Sequence, residues 1–439
     1  MPPTKQLARE VFLHTLRSID IPAVMAQKIQ IAESNLVLPD RCVELPKAAR
    51  IFVIAIGKAA HAMANGLVAQ LPPGTTISGI VSAPTPPAAR IRGLQYFVGG
   101  HPIPNNESWR SAEAILNVLA TCDERTVVFF LLSGGGSALV ERPLGPDITL
   151  EDVQKVNQAL VTCGAPIHAM NTVRRHFSAI KGGRLALAAG PATKITVAVT
   201  DVPVGSEAAL ASGPTLPDPT TEGDVERILA EFALRERFPL SVQKWLSAGL
   251  MPETPKSGHP AFANAHFSLL LGMDDLFHAA HHALEAHGYA CCCDNATDDW
   301  PVEKASEFLL SQLETWQREN PRQAVAVVAD GEVSSPVTGN GIGGRNSAFV
   351  LSCVEKIAGR DIVVLSAGTD GIDGNSPAAG AVADGVTLNR ARALGLDPVT
   401  AFRQSDAYGF FQRLDDAIVT GPTGNNLRDL RILMTAPWI

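Results

Sequence analysis

Four short segments combine glycine with side chains suited to phosphate or a metal. Ser133-Gly134-Gly135-Gly136-Ser137 offers bare backbone N–H groups flanked by two hydroxyls, and Gly57-Lys58 sets an ammonium just beyond the apolar run 51–54. Gly343-Gly344-Arg345-Asn346 adds a guanidinium where a helix-like stretch opens. Asp370 and Asp373 flank Gly371-Ile372 in a fourth glycine-rich turn that follows the run 362–365. Backbone N–H groups at helix starts bind anions, and two carboxylates close together hold a hard cation or orient a hydroxyl. One such loop is an ordinary turn. Four in one chain point to an enzyme that handles polyanions.

Each segment also has a plainer reading. Lys58 could cap a solvent-exposed helix start, and Asp201, at the end of the run 195–200, could be an N-cap rather than a magnesium ligand or a base. The three consecutive glycines 134–136 are harder to explain as a turn, because each adds backbone entropy lost on folding. Gly339-Asn340-Gly341-Ile342-Gly343-Gly344 matches the dinucleotide pattern G-x-G-x-x-G and raises an NAD(P)H-dependent reaction. That pattern requires a strand directly before it and an acid at the end of the next strand, and neither is in place. No Walker A sequence occurs, since Gly57-Lys58 lacks the earlier glycine and the following Ser or Thr. Phosphoryl transfer would need another architecture.

Parallel strands and covering helices are the elements that could position these loops. Apolar runs at 51–56, 77–82, 95–98, 127–132 and 195–200 alternate with amphipathic stretches such as 108–120, the pattern of a mostly parallel sheet covered by helices. Pro252, Pro255, Gly258 and Pro260 interrupt the periodicity, so a Rossmann-like α/β domain is expected over 1–250 and a second α/β domain over 251–439. In the second, a helix over 276–287 and strands at 289–293, 324–329 and 362–365 are expected. His278, His281, His282 and His287 read as ordinary side chains of that helix rather than a metal cluster. Cys291-Cys292-Cys293 reads as a strand of buried thiols, because adjacent strand residues point to opposite faces.

At 439 residues, with 46% hydrophobic and 18% charged, the chain is an ordinary globular protein of more than one domain. No apolar run approaches the roughly 20 residues of a membrane span, and a cytoplasmic location is expected. The net charge of −8, from 36 basic and 44 acidic residues, gives no footprint for nucleic acid. Any anionic ligand must be met by local lysine and arginine.

Taken in order, these segments resemble the class II glycerate kinases with a C-terminal MOFRL domain, members of which were often labelled hydroxypyruvate reductase. The resemblance is carried by Gly57-Lys58-Ala59, Gly100-His101-Pro102-Ile103-Pro104, Ser133–Ser137, Asn171–Gly183, Asp201-Val202-Pro203, Ala211–Thr215, Gly343–Asn346, Gly368–Gly374 and Thr420–Asn426. It implies two α/β domains around a cleft, ATP with Mg2+, and phosphorylation of D-glycerate at the 2-hydroxyl. It also implies that Lys58 and Arg345 are the catalytic cations, with Asp201 as base or metal ligand. Ser133, Gly134, Gly135, Gly136, Ser137, Arg174, Lys181, Ser212, Gly343, Gly344, Asn346 and Asn425 are then expected to bind substrate or nucleotide. Asp370 and Asp373 are expected to hold the metal. Local departures are Ser347-Ala348 where relatives carry Gln-Glu, Val204-Gly205 where they carry Gly-Asp, and Asn105-Asn106 where an acid is common. The competing readings are an NAD(P)H-dependent hydroxypyruvate reductase and a non-catalytic sensor; a homo-oligomer is compatible with either.

Overall fold

The run Thr126–Leu132 is buried along its whole length, as befits a strand covered on both faces. It is the fourth strand of a six-stranded parallel sheet formed by β1 (Arg50–Ile56), β2 (Ile77–Ala83), β3 (Leu94–Val98), β4 (Thr126–Leu132), β5 (Thr193–Val199) and β6 (Ala265–Leu271). Their spatial order is β3-β2-β1-β4-β5-β6 with every neighbouring pair parallel. This is the doubly wound arrangement, whose order reverses between β1 and β4. The computed structural model describes residues 4–437 apart from 33, 48, 201, 203, 204 and 426.

Residues 21–271 form one compact unit around this sheet, and residues 1–20 with 272–439 form the other. The proline-rich stretch near 250–260 therefore does not end a domain; it leads into the edge strand β6, which pairs with β5 from Lys194↔Ala265 onward. Helices Ala60–Gln70 and Asn106–Leu119 supply parallel crossovers, and Asn105 caps the second by accepting the Ser108 N–H. Beyond the sheet, helices Leu150–Val161, Ile167–Phe177, Glu222–Glu231 and Leu240–Ser247 share a separate apolar cluster around Val153, Leu160, Phe177 and Trp245.

The second unit has a mixed sheet of β7 (Tyr289–Cys293), β8 (Ala324–Asp330), β9 (Ile362–Gly368), β10 (Gly380–Asp384), β11 (Ala417–Ile418) and β12 (Asp429–Thr435), in the order β7-β8-β12-β9-β10-β11. Only β7 and β8 pair in parallel; the other pairs are antiparallel. Its core gathers Leu309, Leu313, Val327, Phe349, Val364 and Phe411. The first helix, Lys5–Ser18, belongs here by its bonds: Lys5 donates to Asp416 at 3.0 Å and Arg9 to the Ala417 carbonyl at 3.0 Å. The expected helix at 276–287 spans Met273–Ala286, and the Cys291–Cys293 thiols are half-exposed rather than buried, because β7 is an edge strand.

Candidate functional site

In the parallel sheet Ile56 pairs with Leu132, so Gly57 and Ser133 leave the sheet side by side. This is the crevice where strand order reverses, the usual ligand position in such sheets. The two loops are stitched together. Lys58 N–H donates to the Gly134 carbonyl at 2.9 Å, and Ser133 Oγ accepts the Ala59 N–H at 3.0 Å. Gly57 is held at φ +131°, and a Cβ there would lie 2.1 Å from Ser133 Oγ, so no larger residue fits. Ser133 is thus spent on positioning Lys58, while Gly134 and Gly135 are partly exposed at the turn and Gly136 packs against Ala211.

Two further segments pack on that turn. Ser137 Oγ and Ser212 Oγ share a hydrogen bond of 2.8 Å, and Ser212 is buried with its backbone at φ 60°. His101, in the loop after β3, lies against Gly135, where a Cβ would come within 3.2 Å of its Nε2; Lys58 Cγ is 3.4 Å from the same point. Loss of water and the Lys58 charge hold His101 below the ordinary histidine pKa. Lys58, His101, Ser133–Ser137 and Ser212 form one group. Only His101 among them had no expected role, and its position three residues past β3 was the available signal.

Arg174 and Lys181 sit deeper. Lys181 is 1% exposed and donates to Glu141, whose other oxygen accepts from Ser178 at 2.6 Å; burial lowers the lysine's pKa and Glu141 opposes the shift. Arg174 spends its guanidinium on Asn157 at 3.2 Å and Asn171 at 3.3 Å. The Gly182 and Gly183 N–H groups donate to the carbonyls of Ser212 and Gly213 at 3.0 and 2.7 Å, which fixes the Ser212 loop. Lys181 is therefore an internal partner of Glu141. Asp201 lies outside the described residues.

The second unit collects its charges at the C-terminal end of β8 and the start of β12. Arg345, first residue of the helix Arg345–Cys353, meets Asp429 at 2.5 Å and Glu332 at 2.6 Å. Partial desolvation acts the other way, yet these two carboxylates raise its pKa above the ordinary arginine value. Asp373 is buried and accepts from Asn346 N at 2.9 Å, Ser347 N at 2.8 Å and Ser347 Oγ at 2.6 Å. It caps the Arg345 helix. Burial raises its pKa, opposed by the hydrogen bonds from Ser347 and Asn346. Gly344 admits this contact, since a Cβ there would lie 2.3 Å from Asp373 Oδ1.

The expected Asp370 and Asp373 pair is thus divided, because Asp373 is saturated by helix donors. Asp370 closes its own turn by accepting the Ile372 N–H at 3.0 Å. Its acidic neighbour is Asp429: a Cβ on Gly368 would be 3.1 Å from Asp370 Oδ1 and 3.2 Å from Asp429 Oδ1. Among the described residues, no three His, Cys, Asp or Glu side chains converge on a point that could hold a metal. Asn346 is buried and accepts from Ser366 at 2.6 Å, while Asn425 donates to the Ile19 carbonyl at 2.7 Å. Both are internal ties. Gly343 and its neighbours are bound to another loop, with Ile342 N–H donating to Asp406 at 3.1 Å; β8 ends at Asp330, well before them, so the dinucleotide arrangement is not formed.

Two family models divide the chain: residues 7–247 match a domain of unknown function, DUF4147, and residues 325–429 match the MOFRL family. The D-glycerate 2-kinase of Thermotoga maritima is 32% identical over 92% of this chain and 96% of its own. This chain belongs to the class II glycerate kinase family. Within that family, the crystal structure of glycerate kinase from Thermotoga maritima shares the fold with a TM-score of 0.85 and 30% identity, covering 98% of this chain and 99% of that one. Another family member, from Agrobacterium vitis, carries the provisional name hydroxypyruvate reductase and is 37% identical over 95% of this chain and 93% of its own. The match to class II glycerate kinases thus runs through both units. Among the described residues no helix is long and apolar enough to cross a membrane.

Proposed function

We propose that this protein phosphorylates D-glycerate with ATP and Mg2+, giving 2-phosphoglycerate. The reading is carried by the pairing of Gly57-Lys58 with Ser133–Ser137 at the reversal of strand order, in a chain similar to glycerate kinases over nearly its whole length. The Ser133–Ser137 turn, with Ser212 behind, offers its backbone N–H groups to anionic groups. Lys58 and Arg345 offset charge on the transferring phosphoryl group, where positioning and electrostatics supply most of the catalysis.

Mg2+ keeps several waters and takes one or two carboxylates plus the phosphates of its nucleotide, so a dedicated cage of three acids is not required. Asp370 fits that need; Asp373 is held by helix donors and Asp429 by Arg345. Lys181 and Arg174, first candidates for the acceptor carboxylate, are engaged by Glu141 and by Asn157 and Asn171, which favours a supporting role for both.

The test pairs D-glycerate, ATP and Mg2+ with a parallel assay of hydroxypyruvate and NADH. Glycerate-dependent ADP release, with NMR placing phosphate on the 2-hydroxyl, is the expected result. NADH oxidation without ATP would overturn it in favour of the reductase named among the relatives.

A further inference from the structure

Phosphoryl transfer to a hydroxyl leaves a proton to be moved, and none of the cations above can accept it. Lys58 and Arg345 are donors, and the Ser133–Ser137 loop carries no titratable side chain. Among the described residues grouped around that turn, His101 is the titratable side chain that can. Its Nε2 edge lies over Gly135, in the turn proposed to meet anionic groups of the substrates, and the residue is exposed to water. Among the described residues its ring makes no hydrogen bond to protein.

We propose that His101 is the general base that takes the acceptor's hydroxyl proton, a role that rests on the glycerate kinase reading. The balance is complete. As the hydroxyl oxygen forms its bond to the γ-phosphorus, the bond from that phosphorus to the bridging oxygen breaks and ADP leaves with the electron pair. The hydroxyl proton passes to Nε2, and the imidazolium returns it to water through its exposed face.

The surroundings suit the task. A base must be unprotonated at working pH and close to the reacting hydroxyl. Among the described residues the charged group facing the ring is the Lys58 ammonium; partial desolvation and that charge hold the imidazole pKa below the ordinary histidine value, which favours the neutral form. Neighbouring Gly99, Gly100, Pro102 and the glycine turn add no charge. Gly135 has φ +81° and no side chain, which lets the ring edge come this near.

The experiment compares the full-length protein with His101→Gln and His101→Ala, measuring kcat and KM for D-glycerate from pH 5 to 9 and melting curves with and without ATP. The expected result is a fall in kcat of about 10²-fold or more, in the range of a lost general base, with KM for glycerate and the ATP-induced melting shift retained. The acid limb of the wild-type kcat profile, with its midpoint below the ordinary histidine value of about 6.5, is also lost. A His101→Gln enzyme that keeps kcat within about threefold, or keeps the acid limb, overturns the base role alone. A wild type silent toward glycerate overturns the functional reading and the base role together.

Discussion

Asp373 grips both the backbone N–H and the hydroxyl of Ser347, at 2.8 and 2.6 Å, and so fixes the helix start on which Arg345 stands. A carboxylate used this way orients the guanidinium proposed as a catalytic cation, without itself meeting substrate. Asp373→Asn should lower stability by about 1–3 kcal/mol, because buried donors lose an anionic acceptor. The Mg2+ concentration needed for half-maximal activity should stay as in the wild type. Asp370→Asn should do the opposite, raising the Mg2+ requirement with little change in melting temperature. Metal titrations and melting curves of the two variants decide between capping and coordination; an Asp373→Asn enzyme needing far more Mg2+ would return Asp373 to the metal.

Lys58 and Arg345 are predicted to matter for turnover rather than folding. Removing a preorganised group that stabilises transition-state charge costs about 10²–10³ in kcat. Lys58→Ala is the cleaner case: its backbone N–H, not its side chain, makes the bond to Gly134. Its kcat should fall by that factor. Arg345→Ala should cost turnover and also some stability, since Asp429 is 4% exposed and loses its partner. Near-normal turnover in both variants would remove these residues from the mechanism.

The parallel sheet was legible because strands covered on both faces are near-continuous apolar runs, as in Thr126–Leu132. β12 was hidden for a physical reason. Its run Asp429–Thr435 carries Arg431, whose guanidinium is fully buried and donates to the carbonyls of Asp330 and Gly331 at 2.7 and 2.8 Å. Nothing near Arg431 in the chain announces those partners. β6 was lost for a related reason: an edge strand is only partly covered, and Ala265, His266 and Phe267 are half-buried. In the site, the glycine loops were visible from composition alone. Asp429 and Glu332 were not, since they lie 84 and 13 residues from Arg345 and only sheet register brings them to it.

Lys181 tests whether a buried charge near the site binds ligand or holds the fold. Its ammonium and Glu141 are nearly closed off from solvent, at 1% and 5% side-chain exposure. Breaking one side of such a pair leaves an uncompensated buried charge and costs about 3–5 kcal/mol, whereas replacing both often costs much less. Lys181→Met should therefore be strongly destabilised, and Lys181→Met with Glu141→Gln should regain most of the loss along with a normal KM for glycerate. A double variant that is stable but has a KM raised by orders of magnitude would make Lys181 a substrate ligand.

Glu253, bonded to His176 in the last turn of the helix Ile167–Phe177, gives a pH signature. Desolvation opposes the shift, yet hydrogen bonds from Lys256, Glu222 N–H, His176 and Thr254 N–H hold its pKa down to about 2. A carboxyl whose folded pKa is depressed stabilises the fold above its unfolded value, and that contribution disappears as pH falls through the folded value. The side chain is 43% exposed, so solvent screening keeps the effect modest. Glu253→Gln should melt below the wild type at pH 7, and the gap should narrow from about pH 4.5 downward as the wild-type carboxylate protonates. Melting temperatures measured at both ends of that range check the sign. A gap that widens on acidification would mean that Glu253 is not held as an anion by its partners.

The seven cysteines should separate by reactivity, because the thiolate is the reacting form. Burial pushes Cys353 and Cys291 up to about 12, and Cys122 and Cys293 up to about 11. Cys42 is exposed. In the native protein at pH 7.5, an aromatic disulfide reagent should modify Cys42 first and Cys353 only on unfolding, as peptide mapping would report. Cys293 is the informative intermediate. His281 Nδ1 is 3.1 Å from its sulfur and Glu285 is 3.1 Å from the other ring nitrogen, so His281→Ala should slow its labelling if the imidazole draws off the thiol proton. Equal rates in the two proteins would reduce that contact to packing, with burial alone setting the reactivity of the triplet.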